Sequence, residues 1–127
     1  MNTFGAIAVA AGGVLGVWGR WGLSYLFNAL WPSLPPGTLA ANLIGGYLIG
    51  VLIELFSLRT KIPPEVSLFA ITGFLGGLTT FSTFSAEAVT LLLRGQYFWA
   101  ICHIASHLTG SLIMTALGIA TSRRLWS

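Results

Sequence analysis

Apolar residues run almost unbroken through four stretches of this chain, and short breaks rich in proline, glycine or charge separate them. No Asp, Glu, Lys or Arg occurs between Arg20 and Glu54, nor between Arg94 and Arg123. A helix that crosses a bilayer needs about 20 mainly apolar residues. The pattern predicts four spanning helices, from about Phe4 to Leu30, Thr38 to Leu58, Val66 to Leu93 and Tyr97 to Thr121. The expected turns are Trp31–Gly37, led by an interfacial tryptophan, then Arg59–Glu65, then Arg94-Gly-Gln96. Residues 1–127 read as one all-α membrane domain without linker, long-period repeat or low-complexity segment. The N-terminal stretch lacks the basic leader and small-residue cleavage site of a signal peptide, so it reads as an uncleaved span.

Composition sharpens this. Hydrophobic residues make up 55% of the chain and charged residues 7%, whereas about a quarter of a soluble domain is charged. The mean hydropathy is +0.85. The net charge of +3 includes no basic run longer than an adjacent pair, which argues against a nucleic-acid partner. Cys102, the single cysteine, has no internal disulfide partner. Arg59, Lys61, Arg123 and Arg124 fall on the side shared by the termini and the second turn, against Arg94 on the other, or Arg94 and Arg20 if Arg20 is counted there. By that count the termini are expected to be cytoplasmic.

The interior polar residues carry the functional signal. From Gly73 to Glu87 the third span reads GFLGGLTTFSTFSAE, with three glycines ahead of a run of hydroxyls, two phenylalanines and a carboxylate. Each glycine weakens a helix interior by roughly 1 kcal/mol relative to alanine. We expect Gly73–Thr79 to hold a break and Thr80–Glu87 to form the wall of a polar path. Irregular backbone survives at membrane depth only where protein buries it or water lines it. Gly12/Gly16, Ala41/Gly45, Gly46/Gly50 and Ser106/Gly110 are small-residue pairs suited to close helix contact. Arg20 is costly in lipid and should face protein, water or an anion. On the fourth span His103, His107, Ser111 and Thr115 recur every four residues, a polar stripe down one face. The His103/His107 pair could ligate a metal, but zinc wants three or four ligands and only Glu87 adds to the set. A hydrogen-bonded wall is the preferred reading. Four short spans do not readily enclose such a path alone, which points to a homo-oligomer, most simply a dimer.

The chemistry indicates an anion. Arg20 and the Asn42 amide donate hydrogen bonds, and the hydroxyls of Thr79, Thr80, Ser82, Thr83 and Ser85 can donate or accept. Phe81 and Phe84 lie three apart, and ring edges carry the positive part of the aromatic quadrupole. Such edges contact a small anion weakly enough for it to leave, as conduction requires. A small four-span drug or cation/proton antiporter is the main rival, but it needs a carboxylate in its first span, where this chain has Arg20 and no acid. A non-transporting assembly subunit would leave the break and the intramembrane arginine without purpose. No nucleophile–base pair suggests an enzyme.

Gly16-xxx-Arg20, GTLAANLIGG (Gly37–Gly46), GFLGGLTTFSTFS (Gly73–Ser85) with Glu87, and Gly110-Ser111 resemble the Fluc (CrcB) family of microbial fluoride channels. The resemblance covers essentially the whole chain. It implies an antiparallel, dual-topology homodimer in the plasma (inner) membrane, with two fluoride pores giving passive export of toxic fluoride. It further implies that Phe81 and Phe84 line the pores, that Asn42 is a pore donor, and that Arg20 keeps the vestibules electropositive. Thr80, Ser82, Thr83 and Ser111 would form a polar track with Glu87 near one end, and His107 shares that face. The backbone carbonyls of Gly76 and Thr79 from both subunits would surround a structural sodium ion on the dimer axis.

Overall fold

The computed structural model describes residues 1–126, and among them every regular element is helical. Four helical rods are long and apolar enough to cross a membrane: Thr3–Leu30, Pro36–Leu58, Pro64–Leu93 and Tyr97–Trp126. Local chemistry sets their ends. The Asn2 side chain accepts from the Gly5 N–H at 2.7 Å and caps the first span. Proline stands in the first turn of both the second and third spans, where its missing N–H leaves no gap in the helix. The third span stops at Arg94 in a tight reversal. Gly95 takes a φ of 72°, its N–H reaches the Leu92 carbonyl at 3.0 Å, and the Gln96 N–H reaches the Leu91 carbonyl at 2.9 Å. This paired closure needs a left-handed residue, which glycine supplies without strain.

The spans pack backbone to backbone. A Cβ added to Gly12 would lie 2.2 Å from the Phe69 carbonyl oxygen, and one on Gly16 would lie 2.1 Å from that of Phe74. The first span therefore rests directly on the first half of the third. The second and fourth spans form the other close pair, where Cβ atoms at Gly50 and Gly118 would each fall 2.1 Å from the carbonyl oxygens of Thr115 and Tyr47. With no water to drive association in lipid, close van der Waals approach of this kind is what holds helices together. The buried core is small, centred on Ala41, Leu75 and Leu78. Large apolar side chains such as Phe4, Trp18, Trp21 and Leu112 face outwards, as lipid allows.

The third span is interrupted near its middle. It begins with one α-helical turn (Pro64–Ser67), winds as a π-helix over Leu68–Leu75, and returns to α geometry at Gly76–Leu78. Thr79 and Thr80 are then extended, with φ/ψ of −84°/154° and −148°/113°, before an α-helix resumes over Phe81–Leu93. The discontinuity thus falls on the two threonines, not on the preceding glycines. Gly73 and Gly77 serve packing: Cβ atoms there would come within 2.7 Å of the Val9 carbonyl oxygen and 2.6 Å of that of Gly13.

Candidate functional site

The site grows from the break. Leaving the helix strips backbone groups of their partners, and at membrane depth each must be satisfied by protein. The Asn42 side chain does this for Thr80. Its Oδ1 accepts from the Thr80 N–H at 2.8 Å, and its Nδ2 donates to the Thr80 carbonyl at 3.1 Å. The amide imitates a neighbouring peptide unit. Thr80 Oγ1 then accepts from the Thr83 N–H at 3.1 Å, which caps the resumed helix. Arg20 supports the same discontinuity, its Nε donating to the Gly77 carbonyl at 3.0 Å. In an unbroken helix that carbonyl would accept the amide four residues on. The sequence places Gly16 and Arg20 four apart on one helix face, and the structure sets that face against Phe74 and Leu78.

Asn42 has a second amide hydrogen, which reaches His107 Nδ1 at 3.0 Å. The two bonds to Thr80 fix which end of the amide is nitrogen, and that nitrogen only donates. His107 Nδ1 therefore accepts, and the neutral ring carries its proton on Nε2. Nε2 is buried without a hydrogen-bond partner. Against this ring lies Phe84, itself buried. It tilts on His107 at 4.8 Å between centroids and 38°, and stacks on His103 at 5.4 Å and 19°. Phe81, 5.4 Å from Phe84, is 73% exposed in the single chain.

Behind Phe84 sits a carboxylate. Thr38 Oγ1 donates to Glu87 Oε1 at 2.8 Å and accepts from Asn28 Nδ2 at 3.1 Å, while the Thr38 N–H donates to Asn28 Oδ1 at 3.0 Å. His103 Nε2 stands 3.3 Å from Glu87 Oε2 and 3.4 Å from the Phe84 carbonyl. Glu87, His103 and His107 bring one potential metal-ligand atom each within 4.8 Å of one another. Tautomer chemistry argues against a metal there. A metal on His107 Nε2 would push the proton to Nδ1, directly against the amide hydrogens of Asn42. The cluster is better matched to hydrogen bonding around a carboxylate.

An open groove of about 530 Å³ gathers Asn42, Thr80, Phe81, Phe84, His107 and Ser111 on one face, and Gly76 and Thr79 also line it. Ser82, Thr83, Glu87 and Arg20 lie outside this lining. Ser82 Oγ is 3.4 Å from Thr80 Oγ1, and Thr83 contributes the backbone N–H already described. Sequence reasoning did not find the Thr38–Asn28 support of Glu87 or the stacking of His103. The four-residue offset of Asn42 from Thr38, and of His107 from His103, hinted that each pair shares a helix face.

The break also frees carbonyls. In a continuous helix Gly76 and Thr79 would accept from the amides of Thr80 and Thr83. Those amides go instead to Asn42 Oδ1 and Thr80 Oγ1. Two backbone oxygens without their helical donors, with Gly76 exposed, are ligands of the kind a hard cation takes.

Fold and site together define a four-span, all-helical membrane protein whose interrupted third helix lines a groove of mixed polar and apolar side chains. The chain belongs to the CrcB family: the family described as "CrcB-like protein, Camphor Resistance (CrcB)" matches residues 7–119. It is similar to the "Fluoride-specific ion channel FluC" of Nitrosospira multiformis, with 62% identity over 125 residues and 98% of each chain covered. The protein of the same name from Cupriavidus pinatubonensis is 58% identical over 125 residues, covering 98% of this chain and 99% of its own. That of Pseudomonas putida is 56% identical over 115 residues, 91% of both chains. These relatives are named as ion channels, not as enzymes.

Proposed function

We propose that this chain is a fluoride-selective ion channel that lets toxic fluoride leave the cell down its gradient. The observation that carries this is 62% identity, along nearly the full length, to a protein named as a fluoride-specific channel. The groove is consistent in sign. It presents hydroxyls, the His107 imidazole and aromatic rings beside apolar side chains, and no carboxylate lines it. Phe81 and Phe84 offer ring edges, His107 Nε2–H is the N–H left without an internal partner, Asn42 holds the broken backbone and this ring in place, and Thr80, Ser82, Thr83 and Ser111 continue the polar track. Glu87 marks one end of that track and Arg20 keeps its mouth electropositive. The antiporter alternative still lacks the carboxylate it needs, since the first span contains none.

The working assembly in this reading is an antiparallel, dual-topology homodimer in the plasma membrane, with two pores. The open groove and the exposed Phe81 favour a second copy closing the path. The carbonyls of Gly76 and Thr79, met by their symmetry mates, hold a structural sodium ion at the axis. That ion would tie the two breaks together and is not the transported species.

Efflux from proteoliposomes tests the proposal. Fluoride is expected to leave far faster than chloride through the purified protein. Equal flux of both ions, or none of either, overturns the assignment.

A further inference from the structure

At the end of the molecule remote from the Arg94 turn, the second span stops at Arg59 and a short turn leads to the third. A pocket of about 520 Å³ lies there, combining Arg59, Thr60 and Lys61 with Leu55, Leu58, Ile62 and Trp126. Arg59 and Lys61 are both exposed. Neither has an acidic partner among the described residues. Glu54, the acid nearest Arg59 in sequence, is engaged by Arg123 at 3.1 Å, and Glu65, the acid nearest Lys61, is outside the pocket lining. Two cations and a hydroxyl thus adjoin an apolar wall, at the level where spans end and tryptophan marks the membrane interface.

We propose that this pocket binds the headgroup of an anionic phospholipid. Arg59 would meet the phosphodiester through its planar fork and Lys61 as a point charge. Leu55, Leu58 and Ile62 would take the glycerol and upper acyl segments, and Trp126 would close the site at the headgroup level. A free phosphate ion presents similar anionic oxygens but leaves the apolar wall empty, so the amphipathic lining favours the lipid. The volume falls within the range of small-molecule pockets, about 300–1,000 Å³. Basic clusters beside membrane spans attract anionic headgroups, each cation strengthening binding about fivefold. If two copies lie antiparallel, the pocket faces both leaflets.

Native mass spectrometry of the full chain, released from micelles carrying phosphatidylglycerol or phosphatidylcholine, tests this. Wild type is expected to retain phosphatidylglycerol in preference. Lys61→Gln should weaken retention about fivefold, and Arg59→Gln with Lys61→Gln about 25-fold, if the two contributions add. Arg94→Gln, at the opposite end, should change nothing. Lys61 lies in an exposed turn, so its single substitution tests the site even if the double variant folds poorly. Equal retention of the two lipids, wild-type retention by Lys61→Gln, or full displacement by inorganic phosphate would each overturn the proposal. Lipid retention is read without reference to fluoride flux, so its failure leaves the channel assignment untouched.

Discussion

Asn42 is the side chain on which most of the site converges. It holds the Thr80 backbone from both sides and orients His107 with what remains of its amide. Replacing it by leucine would leave the Thr80 N–H and carbonyl unpaired at membrane depth, a loss of about 1–3 kcal/mol for each group. Asn42→Leu is therefore expected to lower the thermal midpoint and to cut fluoride flux at least tenfold. Ring 15N spectra of labelled protein supply a sharper check. Wild-type His107 should show its proton on Nε2, and Asn42→Leu should release that preference. A His107 protonated on Nδ1 in the wild type would contradict the hydrogen-bond assignment. Little of this was legible in advance. The sequence marks Asn42 as a donor inside a span, but its partners lie 38 and 65 residues away, and spacing along one helix says nothing about contacts between helices.

The spans themselves were readable, because length and hydropathy are properties of contiguous sequence. The interruption was readable only in part. Three glycines drew the expected break to Gly73–Thr79, yet glycine also permits close approach, and Gly73 and Gly77 are used that way against the first span. The extended residues are Thr79 and Thr80, where a side-chain amide and a hydroxyl can replace the lost helical bonds. Small residues at the element scale differ sharply in what they tolerate. Gly50→Leu places a Cβ 2.1 Å from a backbone oxygen of the fourth span, so the helices must separate. Overpacking costs about 1–3 kcal/mol even where side chains can yield, and backbone yields less, so loss of folded protein on gel filtration is expected. Gly22→Ala meets nothing within 4 Å and should be neutral or slightly stabilising. Equal behaviour of the two variants would show that the glycine contacts do not hold the spans together.

For the whole molecule the proposed sodium site depends on the proposed second copy. One chain offers only the two carbonyls of Gly76 and Thr79, whereas a hard cation is held by several oxygens at once. A symmetric partner doubles the set. Exchanging sodium for a large organic cation is expected to shift the detergent-solubilised dimer towards monomer, read by gel filtration. A dimer indifferent to that exchange would count against the site. Assembly was the least legible level of all, since a count of lysine and arginine favours one orientation while the family resemblance implies both.

The three-residue reversal at Arg94-Gly-Gln96, closed by its paired hydrogen bonds, also bears on how the protein is made. It leaves no slack between the third and fourth spans, so neither can enter the bilayer far ahead of the other. Phe81, Phe84 and Glu87 on one arm and His103, His107 and Ser111 on the other would then arrive as a single inserted hairpin. The polar faces of both arms can shield each other from hydrocarbon during insertion, before Asn42 of the second span has found its place beside Thr80.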